Sequence, residues 1–222
     1  MKKVFMWKWL FYFVGLAIMS LGISLIIEGK ALGVSPWDVL HVGLYKQIGL
    51  SVGSWTIITG LIIVSITTIY LKEWPKIATW LNMLLIGSFV DLFTWILPNS
   101  KSLPLDVFYF LSGLFVMSIG CAMYISPRLG AGPRDTVMMI LVEKFGGSIR
   151  MARFLTETIV AILGYLLGGP IGIGTVIIAL FTGYIIQPAL PFFEKLLAKR
   201  IANEENESII TNQNSKELVK ES

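Results

Sequence analysis

Long stretches of apolar residues, nearly free of charged side chains, dominate this sequence. A helix needs about 20 such residues to cross the roughly 30 Å hydrocarbon core of a bilayer. Mean hydropathy is +0.75. Charged residues make up 14% of the chain, against about 25% in soluble domains. A soluble fold could not bury this much apolar surface, so the sequence predicts an all-α polytopic protein with the lipid bilayer as its partner.

Six of these stretches are long enough to span the membrane, near residues 9–27, 53–71, 77–97, 107–126, 151–169 and 171–193. Two further segments, 36–48 and 133–145, look helical but are too short to cross, and each begins with proline. The first stretch continues to Ile27, which is too long for the apolar part of a signal peptide, so we interpret it as an uncleaved span. Residues 194–222 are polar and charged, which predicts a mostly disordered tail.

The lysines and arginines of the loops indicate the orientation, because cytoplasmic loops carry an excess of them. With six spans and a cytoplasmic N-terminus, twelve basic residues lie inside and three outside. The inner set is Lys2, Lys3, Lys8, Lys72, Lys76, Arg128, Arg134, Lys144, Arg150, Lys195, Lys199 and Arg200, and the outer set is Lys30, Lys46 and Lys101. If both short helices crossed as well, the ratio would weaken to ten against five. We therefore expect six spans with both termini in the cytoplasm.

The sequence also contains an internal repeat. The letters LGVSPWD at residues 32–38 match LGAGPRD at residues 129–135, an offset of 97. Further matched pairs are Gly22 with Gly120, Ser51 with Ser148, Thr79 with Thr175, and Gly87 with Gly183. Each copy consists of a long span, a Gly-Pro loop, a short helix and two more spans.

An odd number of spans per copy makes the second copy enter the membrane from the opposite side. The sequence therefore predicts an inverted 3+3 repeat, with residues 1–99 as the first membrane unit, residues 100–193 as the second, and 194–222 as a cytoplasmic tail. Many transporters and some channels share this architecture. The alternative is that the duplication only builds a stable helical bundle and moves nothing.

The paired LGxSPxD and LGxGPxD loops resemble those of the YitT/YczE/YyaS family of bacterial integral membrane proteins. The segment SIRMARFLTETIVAILGYLLGGPIGIGT at residues 148–175 and the letters GLAIMSLGISL of the first span are similar too. The likeness covers residues 10–190 and is strongest to the YczE branch. It implies a multi-pass protein of the bacterial inner membrane, and it implies no defined activity.

Both Gly-Pro loops carry residues typical of a helix start, namely Gly33, Ser35, Pro36, Gly130, Gly132 and Pro133. Ser35 can cap the first short helix, and Asp38 three residues later completes a capping-box pattern that Asp135 repeats in the second loop. In the structural interpretation both aspartates are simply helix caps. In the functional interpretation the two short helices dip into the bilayer from opposite faces, so that their N-termini converge on a midplane site that favours anions.

Glu157 lies several residues into the fifth expected span, where ionisable groups are costly and are usually paired or functional. Arg153 stands four residues earlier on the same helical face, so a structural Arg153–Glu157 pair is one interpretation. The alternative is a carboxylate coupled to protons or solute, or a partner for Arg134. Asp91 and its repeat counterpart Gln187 put a polar residue at the same point of both halves, for which we expect an inward-facing polar contact.

Little in the sequence suggests metal or enzyme chemistry. Cys121 is the only cysteine and His41 the only histidine, so we expect neither an intramolecular disulfide nor a metal site built from these residues. The nucleophile elbow, P-loop and HExxH patterns do not occur, and we expect no enzyme and no cofactor. The basic residues behind the pI of about 9.1 cluster at the ends of apolar runs, which indicates membrane orientation and no nucleic-acid partner.

From these patterns we expect a transporter of a small solute, with a midplane site at the repeat interface that favours an anion. The expected site residues are Asp38, Asp91, Arg134, Asp135, Glu157 and Gln187. One alternative is an accessory or regulatory protein that binds another membrane protein or a second copy of itself and leaves the bundle centre apolar. The other is a passive channel with paired half-helices, which needs a continuous polar pore.

Overall fold

The computed structural model describes residues 2–50 and 52–220, and these residues form eight α-helices. In chain order they are α1 Lys2–Glu28, α2 Pro36–Ile48, α3 Val52–Leu71, α4 Ile77–Ile96, α5 Leu103–Ile125, α6 Pro133–Phe145, α7 Ile149–Leu166 and α8 Ile173–Lys220. A 3-10 turn, Lys30–Leu32, follows α1. The described ranges contain no strand, so the all-α class is confirmed.

The two short helices have the predicted bounds, and the long helices follow the apolar stretches. Five helices, α1, α3, α4, α5 and α8, are long and apolar enough to cross a bilayer by length and composition. The fifth expected span, α7, is not among them, because Arg150, Arg153 and Glu157 all lie within its 18 residues. The described part of the chain thus holds five candidate spans by this criterion, against the six expected.

The last helix, α8, continues well beyond the apolar stretch that begins it. Composition predicts a mostly disordered tail from residue 194, but residues 194–220 are helical in the structure. Their glutamates, lysines, alanines and leucines are good helix formers. Arg128 also donates to Glu194 Oε1 at 2.9 Å, and Lys3 pairs with Glu204. Residues 221 and 222 of the predicted tail lie outside the described residues.

Close packing of α1 against α5 forms the centre of the bundle, and glycines permit it. A Cβ atom at Gly22 would lie 2.5 Å from Met117 Cα, and one at Gly120 would lie 2.6 Å from Met19 Cα. Gly22 and Gly120 are 98 positions apart, as are Met19 and Met117. The contact therefore stays the same when the two helices are exchanged, which is the property of a two-fold interface.

The α1 and α5 helices run antiparallel. Gly15 near the start of α1 packs against the backbone of Tyr124 at the end of α5. At the other end, Gly29 directly after α1 packs against Phe110 near the start of α5. Small residues let the two backbones approach along this whole length, as is common between membrane helices.

Each Gly-Pro loop packs on the start of a helix from the other half of the chain. Gly33 and Gly130 occupy matched positions and have positive φ values of 116° and 148°, a region that favours glycine. A Cβ at Gly33 would lie 2.9 Å from the Cα of Gly172, just before α8. A Cβ at Gly130 would lie 3.1 Å from the Cβ of Lys76, just before α4. The loops thus bring the first turns of α2 and α6 into the bundle.

The remaining helix contacts follow the same pattern in both halves, with one difference. The α2 helix packs on α7 and α6 packs on α3, while α4 packs on α1 and α8 on α5. In the second half α7 also packs on α8. In the first half the corresponding helices, α3 and α4, are not a packed pair in the described part of the chain. The bundle is therefore more open between α3 and α4.

Candidate binding cavity between the short helices

A cavity of about 380 Å³ lies between the helices, and all eight of them contribute to its wall. Small-molecule sites typically measure about 300–1,000 Å³. Its charged lining residues are Asp38, Asp91, Arg134, Asp135, Arg153 and Glu157. Much of the remaining wall is apolar and includes Ile23, Ile57, Ile63, Met83, Ile86 and Val90. The cavity thus combines apolar sides with a cluster of charges, and the first turns of α2 and α6 both reach it.

The start of α2 is a regular capped helix terminus. The Ser35 hydroxyl accepts a hydrogen bond from the backbone N–H of Asp38 at 3.3 Å and donates one to Asp38 Oδ2 at 2.7 Å. Pro36 occupies the first turn, where its missing N–H costs nothing. The Asp38 side chain stays partly exposed. Asp38 therefore fits the capping interpretation of its loop.

The start of α6 is built differently, because Gly132 has no side chain to cap it. The hydroxyl of Tyr124 accepts the Gly132 N–H at 3.2 Å and donates to Asp135 Oδ2. Arg153 donates to Asp135 Oδ1, and the Cys121 thiol lies 3.6 Å from the same oxygen. Asp135 is only 3% exposed. Its carboxylate is thus a buried, fully bonded member of a side-chain network, which is more than a helix cap.

One buried arginine serves two buried carboxylates. Besides its contact with Asp135, Arg153 places Nε 3.1 Å from Glu157 Oε1. This N–H does not aim well at the oxygen, so the contact is an ion pair rather than a good hydrogen bond. The exposed fractions are 7% for Arg153 and 2% for Glu157. The pair suggested by the i, i+4 spacing therefore exists, and Asp135 is its third member.

Three buried polar atoms of cavity-lining residues lack a hydrogen-bond partner in the described part of the chain, and one of them, Arg153 Nε, is the ion-pair contact with Glu157. The other two, Oε2 of Glu157 and Nδ2 of Asn82, have no such contact. The indole of Trp37 lies beside Glu157, but it makes no hydrogen bond of acceptable geometry to Oε2. Asn82 is 3% exposed. Buried polar groups are nearly always satisfied in proteins, so these two atoms call for a ligand or ordered water.

Arg134 and Trp37 connect the two short helices directly. The guanidinium carbon of Arg134 lies 4.9 Å from the centroid of the Trp37 ring, which is a cation–π contact. Within the described residues, Arg134 has no carboxylate within salt-bridge distance. Its guanidinium therefore remains available for an anionic partner on the cavity wall.

His41 lies behind the cavity wall, fully buried in α2. Its Nε2 is 2.9 Å from the hydroxyl of Thr59, and its Nδ1 is 3.0 Å from that of Thr56. Burial, with the positive charge of Arg134, lowers the pKa of His41 to about 4, although Asp38 acts in the opposite direction. The imidazole is therefore neutral near pH 7, and it joins α2 to the two threonines that line the cavity on α3.

The structure brings together five of the six expected site residues. Asp38, Arg134, Asp135 and Glu157 line the cavity, and the exposed Asp91 lies on its α4 wall. Gln187, the sixth, lies instead in a separate surface pocket beside Arg150. Its Oε1 accepts the Arg150 N–H at 3.2 Å. The physical reason is that α8 packs closely on α7 here, whereas the corresponding α3 and α4 are less closely packed.

Three residues of the site do not follow from the sequence. For Trp37 the sequence does offer one indication, since it stands at the position that Arg134 has in the matched loop. Asn82 is a lone amide inside an apolar run and resembles a packing residue. Tyr124 precedes Asp135 by 11 positions, and only the turn between α5 and α6 brings its hydroxyl to the carboxylate.

Comparison with known proteins places the chain in a family. A family model described as a family of unknown function (DUF6198) matches residues 6–190. The chain belongs to this family. It is 43% identical over 202 residues to a Bacillus subtilis (strain 168) protein named "Uncharacterized membrane protein YczE", covering 91% of this chain and 94% of that one. The resemblance to the YczE branch is thus confirmed, and a membrane protein is supported.

Two more distant relatives agree with this assignment. The "Uncharacterized protein YyaS" of Bacillus subtilis (strain 168) is 31% identical over 191 residues, which cover 85% of this chain and 94% of that protein. An "Uncharacterized protein" of Haemophilus influenzae (strain ATCC 51907 / DSM 11121 / KW20 / Rd) is 34% identical over 186 residues, with coverage of 83% and 82%. No solved structure matches the chain.

Proposed function

We propose that the protein is a small-solute transporter whose binding site is the cavity between α2 and α6. The observation that carries the proposal is that the N-termini of both short helices meet at one cavity. The same cavity holds two buried carboxylates, Asp135 and Glu157, that share one buried arginine, Arg153. Ionisable groups inside membrane proteins are expensive and commonly mark a solute or ion path. The solute passes unchanged in this proposal, so the protein is not an enzyme and needs no cofactor.

The proposal includes six spans arranged as an inverted repeat. The exchangeable contact between Gly22 and Gly120 supports this arrangement, because α1 and α5 are antiparallel. A two-fold axis that relates antiparallel helices is perpendicular to them, so it lies in the plane of the membrane that they cross. α7 is the additional span, and its charges are tolerable because Arg153 pairs with Asp135 and Glu157.

The difference between the two halves supports alternating access. α7 and α8 are closely packed, while α3 and α4 are less closely packed and border the cavity. If the halves exchange these arrangements, α3 and α4 close and α7 and α8 separate, which opens the site to the opposite side. One asymmetric conformation of a two-fold architecture therefore corresponds to one access state.

The two rival functions have less support. An accessory protein that only binds a membrane partner or a second copy needs no charged cavity, and its bundle centre would be apolar. A passive channel needs a polar path through the membrane, whereas the apolar residues Ile23, Ile63 and Ile86 line much of this cavity. A cavity that combines a cluster of charges with apolar sides fits a transporter better than a channel.

A membrane orientation belongs to the proposal, namely a bacterial inner membrane with both termini in the cytoplasm. Its support is the charge bias of the loops. Cys121 is buried, so cysteines introduced by Ser102→Cys and Ser215→Cys are the reactive ones in intact cells. We expect an impermeant maleimide to label position 102 and to leave position 215 unlabelled. Labelling of position 215 from outside would overturn this orientation.

Transport itself is tested by reconstitution of the whole chain in liposomes and a solute-counterflow screen. The N-termini of α2 and α6 and the charge of Arg134 favour solutes with an anionic group. We expect counterflow for at least one small solute and its loss in Glu157→Gln. Glu143→Gln is the matched control, because Glu143 is exposed on α6 and is not a cavity residue. Solute-independent flux through an open pore would favour a channel, and no flux across the screen would favour the accessory protein.

A further inference from the structure

We infer that the cavity binds a small zwitterion, with a primary ammonium group at Glu157 and an anionic oxygen group at Arg134 and Asn82. The inference rests on the proposed function for the location of the site, and it adds the chemical class of the ligand. The cavity is lined by a carboxylate oxygen without a donor and by donors without an acceptor, and a ligand with a single charge would leave one of the two kinds unpaired.

The acceptor end is Glu157 Oε2. Asp135 already takes donors on both of its oxygens, from Tyr124 and from Arg153. The buried carboxylates also outnumber the buried guanidinium that serves them, because Arg153 is shared between two. A primary ammonium would donate a hydrogen bond to Glu157 Oε2 and balance the surplus negative charge.

The donor end is formed by Arg134 and Asn82. The guanidinium carbon of Arg134 lies over the Trp37 ring, and its N–H groups have no carboxylate within salt-bridge distance among the described residues, so they can make a bidentate contact with an oxyanion. Asn82 Nδ2 is the second donor, buried and without a partner. The side chain of Asn82 lies against Gly132 at the first turn of α6, where a Cβ would come within 2.8 Å of Asn82 Cγ. The helix terminus therefore adds its own positive potential at this end.

Apolar walls complete the site and restrict the rest of the ligand. Ile57 and Ile63 of α3 and Met83 and Ile86 of α4 line the sides of the cavity. They suit a hydrocarbon group and disfavour a polyhydroxylated solute, whose hydroxyls would lose water without replacement. Because α3 and α4 are not packed together, a zwitterion attached to a lipid as its headgroup could also enter between them.

A binding experiment on the purified whole chain tests the inference. Each apolar α-amino acid from alanine to phenylalanine is compared with its amine, which lacks the carboxylate, and with its acid, which lacks the ammonium. We expect at least one amino acid to bind about 10- to 100-fold more tightly than both relatives, which is the usual effect of a charged hydrogen bond. Equal or tighter binding of the amine or the acid throughout the series would overturn the inference.

Two variants assign the two ends. In Glu157→Gln the acid should bind as well as the amino acid, because the ammonium has lost its partner. In Arg134→Gln the amine should bind as well as the amino acid. Glu143→Gln, exposed on the same helix as Arg134, should keep the original preference. Each affinity ratio compares ligands on one variant, so it holds even where a substitution lowers overall stability. Unchanged preferences in both variants would overturn the assignment.

Two further comparisons separate the sources of the ligand and the two proposals. Phosphoethanolamine and lysophosphatidylethanolamine carry the same zwitterionic group, one as a free solute and the other as a lipid headgroup. Tighter binding of the lipid would show that the site takes the zwitterion as a headgroup. If the protein prefers zwitterions but shows no counterflow, the result supports this inference and refutes the proposed transport. If a singly charged solute shows counterflow and the protein does not prefer zwitterions, the result supports transport and refutes this inference.

Discussion

The guanidinium of Arg134 lies 4.9 Å from the ring centroid of Trp37, and the two residues hold matched positions 97 apart in the repeated loops. Contact between two matched positions is what a two-fold axis through this point would produce, which supports the proposed inverted repeat. The contact therefore fixes where the first turns of α2 and α6 meet. The two sides of this contact differ chemically, because one copy contributes a cation and the other an aromatic ring.

A double-mutant cycle on this contact should show coupling. We expect Trp37→Leu and Arg134→Gln to be non-additive by about 0.5–2 kcal/mol in the free energy of unfolding, the usual range of a cation–π contact. Thermal or denaturant unfolding of the purified protein in mild detergent provides the measurement. Additive losses would mean that the two side chains are neighbours without an energetic interaction.

Arg153 should be the most costly residue to remove from the charge cluster. Arg153→Gln leaves Asp135 and Glu157 buried without a cation, and we expect a loss of about 3–5 kcal/mol in the free energy of unfolding. Glu157→Gln leaves Arg153 paired with Asp135 and should cost only about 1–3 kcal/mol. Unfolding midpoints of the two variants give the comparison. A greater loss in Glu157→Gln would show that Glu157, and not Arg153, holds the cluster together.

The matched aspartates should respond differently to the same substitutions. Asp38 is partly exposed at a capped helix start, so Asp38→Ala should cost about 1 kcal/mol and Asp38→Asn almost nothing. Asp135 accepts from Tyr124 on one oxygen and from Arg153 on the other, so Asp135→Ala should cost about 3 kcal/mol or more. Asp135→Asn should not rescue it, because the amide NH2 group would face one of these two donors. Full rescue by asparagine at position 135 would return Asp135 to the role of a simple cap.

How far the sequence predicts this site is clear from these two aspartates. The capping pattern and the proline positions are local, so they place the starts of α2 and α6 correctly. The network around Asp135 depends on Tyr124 of α5 and Arg153 of α7, whose approach is a matter of tertiary packing. Spacing within one helix reveals Arg153 with Glu157, but it does not reveal a third partner from another helix.

Tertiary packing also explains the position of Gln187. Sequence matching treats the two copies as equivalent, so it assigns Gln187 the environment of Asp91. The copies differ in one helix contact, since α8 packs on α7 and α4 does not pack on α3. That difference leaves Asp91 on the cavity wall and Gln187 in a separate pocket. A repeat therefore predicts shared topology better than it predicts shared exposure.

His41 should make stability depend on pH in the mildly acidic range. Its pKa is 6.5 in the unfolded chain and about 4 when folded. Between these values the unfolded chain binds more protons, so stability should fall as the pH drops from about 6.5 toward 4. Unfolding midpoints at several pH values should show this slope, and His41→Asn should flatten it. Asp38 and Arg134 face the same group, so an unchanged slope in His41→Asn would assign the dependence to other titrating residues.

The packing of α1 on α5 allows the most direct test of the reciprocal contact. A Cβ at Gly22 would come within 2.5 Å of Met117 Cα, and one at Gly120 within 2.6 Å of Met19 Cα. Each methyl group would therefore meet backbone, which cannot move aside as a side chain can. We expect Gly22→Ala and Gly120→Ala to lose similar free energies of unfolding, about 1–3 kcal/mol each.

Gly87 provides the control for these substitutions, because it lies within α4 and a Cβ there would have nothing within 4 Å. Gly87→Ala should raise stability by about 0.5–1 kcal/mol, since alanine loses less conformational entropy than glycine on forming a helix. The sign of the effect thus separates contact from helix propensity. A gain in Gly22→Ala like that of Gly87→Ala would refute close packing. A loss at only one of Gly22 and Gly120 would refute the exchange of α1 and α5, and with it the main support for an inverted repeat.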